Sequence, residues 1–188
     1  MARWEAGADA RLAKAAIELY LERGFEQVTV AEIAGRAGLT KRTFFRYFSD
    51  KREVLFAGSA AFQDAVVSAV IDAPDDVTPI DAVAAALAAG GAELTQLGEP
   101  VRRRQHLIAA STDLQEREMI KLAALTAAVA DALRQRGLPD TAATLTAQAG
   151  IAVFTTAFER WSNQDEPADF PALLRGALSD LRTAISGQ

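Results

Sequence analysis

No stretch of this chain alternates apolar and polar residues with a period of two. A half-buried strand needs that alternation, because successive side chains point to opposite faces of a sheet. The apolar residues recur instead every three or four positions, and Ala and Leu dominate them. That is the spacing and the composition of helices that bury one stripe. The 188 residues predict an all-α protein of one or two compact units.

Caps and stops divide the sequence into nine helices, three short ones and then six more. The first runs from about Asp9 to Arg23, with Leu12, Ala16, Leu19 and Tyr20 on one face and Gly24 as its stop. Thr29 followed by Glu32 has the spacing of a capping box and starts a short helix through Ala37. Gly38 turns the chain, and Thr40 caps a second short helix from Lys41 to Tyr47 or Phe48. Ser49 or Asp50 caps a long helix to about Ile71, striped by Val54, Leu55, Gly58, Phe62, Val66 and Val70. Further helices run from Pro79, behind its cap Thr78, to Leu97, and from Pro100 to Ala110. Three more follow: from Ser111 or Thr112 to the stop at Gly137, from Asp140 to Asn163, and from the cap Asp169 onward.

Composition removes whole classes of function. Cysteine is absent, so there are no disulfides, thiolate metal sites or Cys nucleophiles. His106 is the only histidine, which excludes a multi-histidine metal site and leaves one possible base for a triad. No paired inward carboxylates, Gly-rich phosphate loop or cofactor motif supports an all-helical enzyme, so no enzyme, metal or cofactor is expected. The N-terminus lacks the apolar core of a signal peptide, and no apolar run approaches about 18 residues, so a cytoplasmic protein is expected.

Charge is divided unevenly. Residues 1–57 hold ten Lys/Arg against eight Asp/Glu, a net of +2, and residues 58–188 hold ten against seventeen, a net of −7. Thr40–Arg52 contains Lys41, Arg42, Arg46, Lys51 and Arg52 against only Asp50. Phosphate attraction follows local charge, so an acidic chain can carry a basic reading surface. Two short helices joined by a tight glycine turn form a helix-turn-helix. The second offers Lys41, Arg42, Thr43, Phe45, Arg46 and Tyr47 outside its core stripe. Buried helices do not carry that much charge, and solvated ones do not carry that many aromatics. A surface meeting DNA accounts for both, with cations for phosphate or guanine, hydroxyls for phosphate, and rings for thymine methyls or sugar.

The stretch Gly24-Phe-Glu-Gln-Val-Thr-Val-Ala-Glu-Ile-Ala-Gly-Arg-Ala-Gly-Leu-Thr-Lys-Arg-Thr-Phe-Phe-Arg-Tyr-Phe-Ser-Asp-Lys-Arg-Glu-Val-Leu resembles the signature of the TetR family of repressors, over about Leu12 to Leu55. The resemblance implies a three-helix DNA-binding domain, residues 1–50, and a helical effector-binding and dimerisation domain, residues 51–188. By matched position, Thr29 and Lys51 resemble residues that hold phosphates. Lys41, Arg42 and Phe45 match positions facing base edges, and Thr43 and Tyr47 match positions contacting the backbone. Thr40 and Arg46 complete the expected DNA-binding set, while Phe44 and Phe48 match positions that lock the module together. Many relatives have a small residue where this chain has Arg42, and a cation there reads guanine or adds a phosphate contact.

The body carries no motif of comparable strength. The resemblance implies a pocket for a small effector among the helices bearing Phe62, Val66, Leu94, Leu107, Leu122 and Thr126, residues that can equally be core. Gly90, inside a helix with Gly91, marks either close packing or space for a ligand. Arg103 and His106 are either solvated or beside an anionic effector. The Arg103–Gly137 stretch resembles an actinobacterial subgroup, some of whose members respond to acyl-CoA thioesters. The last two helices are dense in apolar residues: Phe154, Phe158 and Trp161 on one, Leu174, Leu178, Leu181 and Ile185 on the other. In a monomer they pack inward; in the family such helices pair with their copies as a homodimer. The expected function is a regulator released from a palindromic operator by a small, largely apolar effector. Its alternatives are a ligand-independent or activating regulator, and a ligand-binding protein that has lost DNA binding.

Overall fold

A computed structural model describes residues 7–164 and 168–187. The first five residues, read above for a signal segment, lie outside that range. The described residues form nine α-helices: α1 Ala8–Arg23, α2 Val30–Arg36, α3 Lys41–Tyr47, α4 Ser59–Ile71, α5 Pro79–Gln96, α6 Glu99–Ala109, α7 Thr112–Gln135, α8 Asp140–Ser162 and α9 Phe170–Ser186. They contain no strand. The chain divides into two compact units, one of Met1–Ser59 with Arg103–Met119 and one of Ala60–Arg102 with Ile120–Gln188. The boundaries fall after the first residue of α4 and inside α6 and α7.

The long helix expected from Ser49 or Asp50 to Ile71 is two pieces. A 3-10 helix, Glu53–Phe56, comes first, and α4 starts only at Ser59. Gly58 between them has φ +87°, a left-handed conformation that a glycine adopts without a Cβ clash. The apolar stripe runs on through the break, so periodicity did not reveal it. On mean hydropathy Glu53–Ile71 is long and apolar enough to cross a bilayer, although Ser59, Gln63, Asp64 and Ser68 interrupt any continuous apolar run. The fold uses it differently: Val54, Leu55 and Phe56 are buried in the core of the first unit, Val66 and Val70 in that of the second.

In the first unit, α1, α2, α3 and the 3-10 helix close over Leu12, Leu19, Tyr20, Ile33, Phe44 and Val54, with Ile108 and Leu114 supplied by α6 and α7. Tyr20 and Phe25 meet edge to face, 5.2 Å between centroids, and the Tyr20 hydroxyl donates to the Lys51 carbonyl at 2.6 Å. Burial, with the charge of Asp50 adding to it, raises the Tyr20 phenol above its ordinary value, so it remains a donor.

In the second unit, α5, α8 and α9 pack on one another around Leu87, Ala147, Phe154, Phe158, Trp161, Phe170 and Leu174. Glycines set the closeness. A Cβ on Gly91 would stand 2.1 Å from the Phe170 ring, and one on Gly150 would stand 2.4 Å from Val83 Cγ1. Arg136 ties down the end of α4, donating to the carbonyls of Val70 at 3.0 Å, Ile71 at 3.3 Å and Pro74 at 3.0 Å, and to that of Ala73.

Candidate nucleic-acid interface

The helix-turn-helix is fixed from both ends. At the start of α2, the Thr29 amide donates to Glu32 Oε2 at 2.8 Å and the Glu32 amide donates back to Thr29 Oγ1 at 3.4 Å, closing the capping box. Hydrogen bonds from the Thr29 hydroxyl and then its amide, joined by Arg23, hold the Glu32 carboxyl at about 2. Arg36 at the end of α2 grips Glu22 of α1 with two bonds of 2.9 Å. Between the helices Gly38 takes φ +68°, and Arg11 of α1 donates to the carbonyl of Ala37.

Helix α3 starts on Thr40, whose hydroxyl accepts from the Thr43 amide at 3.1 Å and lies 3.0 Å from the Thr43 hydroxyl. Phe44 is buried completely and touches Phe45 and Phe48 on either side. That anchor fixes the rotation of the helix and turns Lys41, Arg42, Phe45 and Arg46 outward, with Phe45 50% exposed. The Lys41 ammonium sits 5.8 Å from the Phe45 ring centre. Arg46 stacks on Tyr47 at 5.0 Å and donates to its hydroxyl at 3.2 Å. Thr40, Arg42, Thr43 and Arg46 line an open groove of ≈ 480 Å³. Eight of the nine residues expected to meet DNA, Thr29 through Tyr47, thus lie at the N-terminus of α2 or on and just before α3.

Lys51 has other work in the fold. Its ammonium donates to the carbonyls of Phe25 at 2.9 Å, Glu26 at 3.3 Å and Val28 at 3.3 Å, over the Phe25 ring at 4.2 Å. It thereby staples the start of the 3-10 helix to the α1–α2 connection.

A half-buried ion-pair group supports the module, and sequence reasoning missed most of it. Asp50 accepts from the amides of Arg52 at 2.8 Å and Glu53 at 3.1 Å, capping the 3-10 helix, and from Arg117 of α7 at 3.0 Å. Burial alone would raise the Asp50 carboxyl, but hydrogen bonds from Arg52 and from the Glu53 and Arg52 amides hold it below its usual range. Arg117 also meets Glu53 at 3.0 Å. Arg104 of α6 donates to the Leu55 carbonyl and stacks on Phe56 at 4.9 Å; burial lowers its guanidinium. Asp50 was legible as a cap. The two arginines carried no signal, since an arginine in an amphipathic helix reads as solvated.

The residues proposed for an effector are not gathered in one unit. Phe62, Val66, Gly90, Leu94, Leu122 and Thr126 belong to the second; Arg103, His106 and Leu107 belong to the first. Leu107 packs on the first unit's core, and Arg103 and His106 are exposed. Val66 is buried, and Thr126 bonds back to the Leu122 carbonyl at 2.8 Å. At Gly90 a Cβ would stand 2.8 Å from the Phe62 ring, so within the second unit that ring takes the room the glycine leaves.

The expected dimer residues divide in the same way. Phe154, Phe158, Trp161, Leu174 and Leu178 are buried within the single chain, packed into the second unit's own core. Only Leu181, half-buried, and Ile185, 75% exposed, remain at the surface. Both lie toward the end of α9, where Ala152, Val153, Thr156, Arg160, Ala177, Asp180 and Leu181 form a shallow groove with α8.

Residues 12–57 match the family described as "Bacterial regulatory proteins, tetR family", and residues 77–186 match the "MftR C-terminal domain". The HTH-type transcriptional regulator TcmR of Streptomyces glaucescens is 35% identical over 79 residues, 42% of this chain and 35% of that protein. This chain therefore aligns with about a third of the length of that relative. A protein of Mycobacterium tuberculosis described as a mycofactocin biosynthesis transcriptional regulator, MftR, is 29% identical over 174 residues, 88% of this chain and 84% of that one. Among solved structures, a SmeT–triclosan complex matches with a TM-score of 0.60 at 22% identity, covering 93% of this chain and 91% of that one. At that identity the likeness shows the fold.

Proposed function

The chain belongs to the TetR family of bacterial transcriptional regulators, and on that premise we propose that it represses transcription as a homodimer on a palindromic operator, and that a small, largely apolar effector releases it. The observation that carries the DNA reading is the exposed face of α3, where Lys41, Arg42, Phe45 and Arg46 stand on a helix locked by Phe44 and capped by Thr40. Cations and an aromatic ring held rigidly outward match phosphate and base-edge chemistry together. Thr29, Thr43 and Tyr47 supply hydroxyls to the DNA backbone.

A dimer is the form a palindrome needs, with half-sites about 34–36 Å apart. Its interface would use the α8–α9 groove with Leu181 and Ile185, because the larger aromatic residues of α8 are already consumed by the core. An effector would enter the second unit, where Phe62 of α4 meets Gly90 of α5 and Val66 is buried in the core. The complex of SmeT with triclosan supports a small-molecule effector as the type of signal. One observation favours the ligand-independent alternative: the Phe62 ring already occupies the space beside Gly90.

The test is a thermal-shift screen of small apolar compounds, followed by operator binding with each stabilising compound. A compound that stabilises the chain and weakens operator binding by about 5–150-fold supports the effector reading. Stabilisation without loss of operator affinity, or no stabilising compound in a broad screen, supports the ligand-independent one.

A further inference from the structure

The cations of the first unit are mostly engaged within it. Arg11 holds Ala37, Arg23 holds Glu32, Arg36 holds Glu22, Lys51 holds three carbonyls, Arg52 and Arg117 hold Asp50, and Arg104 holds Leu55. On α3, Lys41 leans on Phe45 and Arg46 is tied to Tyr47. Arg42 makes no hydrogen bond, ion pair or ring contact among the described residues. It is exposed and is the second residue of α3.

We infer that Arg42 is the specificity-determining residue of the reading helix, and that it reads a guanine in each half-site. This rests on the DNA-binding reading above. Three features of the groove carry it. First, its lining of Thr40, Arg42, Thr43 and Arg46 contains no carboxylate and no amide side chain. The two hydroxyls lie 3.0 Å apart, and the Thr40 oxygen also accepts the Thr43 amide. What the groove presents to a ligand is therefore guanidinium donors.

Second, in the major groove guanine is the base that shows two adjacent acceptors, N7 and O6. Adenine pairs an acceptor with a donor, thymine an acceptor with a methyl, and cytosine shows a donor. A site of donors discriminates in favour of guanine, and the fork of an arginine matches its two acceptors with parallel bonds.

Third, position separates the two arginines of the groove. The first residues of a recognition helix reach base edges, and Arg42 lies in the first turn. Arg46 sits one turn on, about 6 Å along the axis, and the Tyr47 ring and hydroxyl already direct it. Arg46 is therefore assigned to a phosphate, which needs charge but no base-specific fork.

The experiment uses the full chain and its Arg42→Ala, Arg42→Lys and Arg46→Ala variants. Each is selected against random duplexes, and the winning sites are titrated at several salt concentrations. Both substituted positions are exposed, and matching circular dichroism melts confirm that the variants fold. The expected wild-type site carries a guanine at a symmetric position of each half-site, and replacing it with adenine weakens wild-type binding by about 5–150-fold. In Arg42→Ala that position becomes degenerate while the rest of the site is kept. Arg42→Lys retains the wild-type salt slope and loses most of the preference. Arg46→Ala keeps the preference and loses affinity for all sequences alike. If Arg42→Ala still selects the same guanine and merely binds more weakly, Arg42 is a phosphate contact and the inference is wrong. If the wild type enriches no sequence, the regulator reading itself fails.

Discussion

Lys51→Met separates two roles for one ammonium. The sequence signature points it at a phosphate, while the fold points it at the carbonyls of Phe25, Glu26 and Val28. Methionine keeps the stem and removes the charge and the donors. One of the three bonds is short, 2.9 Å, and two are long, 3.3 Å, on a half-buried side chain. A hydrogen bond from a charged group contributes about 1.5–3 kcal/mol, and the Phe25 ring below the ammonium adds roughly 0.5–1 kcal/mol. Solvent competes for this group, and water reaches the Glu26 carbonyl once the ammonium is gone, so a net loss of about 2 kcal/mol is expected. In a chain of this length each kcal/mol moves Tm by about 2–4 °C, which predicts a fall of roughly 4–8 °C in a far-UV circular dichroism melt. The same variant is titrated against DNA by fluorescence anisotropy at several salt concentrations. The expected outcome is a lowered Tm with a salt slope within error of wild type. An unchanged Tm with the slope reduced by about one unit per chain would refute the reasoning and make Lys51 a phosphate ligand.

Three further outcomes follow from the packing and electrostatics. Leu181→Glu with Ile185→Glu should give a folded monomer in sedimentation at micromolar concentration, whereas Leu178→Glu should unfold the chain, because Leu178 is 6% exposed inside the second unit's core. Gly91→Ala should lower Tm despite the gain of about 1 kcal/mol in helix propensity. Its Cβ meets a Phe170 ring held between Phe154 and Phe158, whereas Gly176→Ala on α9, with open space around it, should raise Tm. The depressed Glu32 carboxyl contributes stability that is complete above its ordinary value of 4.5 and lost as pH falls toward about 2. Urea midpoints measured from pH 6 down to pH 2 should therefore fall less steeply in Glu32→Gln than in wild type.

What was legible in the sequence was local. The capping box of Thr29 and Glu32, the caps Thr40 and Thr78, and the glycine stops lie within four residues of what they control, so composition and spacing fix them. The break at Gly58 was hidden because the stripe from Val54 to Val70 keeps helical period through it. Phe154, Phe158 and Trp161 announce an apolar face, but periodicity does not say whether that face meets its own core or a copy of the chain. Lys51 finds its carbonyls 23 to 26 residues back, and Arg117 finds Asp50 67 residues back. Pairings at that distance are properties of the fold and leave no mark on the local pattern. The exposed face of α3 was legible for the opposite reason: its charges and rings break the pattern that packing alone would impose.

The measurement closest to the central claim is the affinity of the full chain for a duplex carrying its selected site, set against a scrambled duplex of the same length, at physiological salt. The account predicts a palindromic site bound by two chains, at least about 10³-fold more tightly than the scrambled duplex, with both affinities falling as salt rises. Equal affinity for the two duplexes would contradict it.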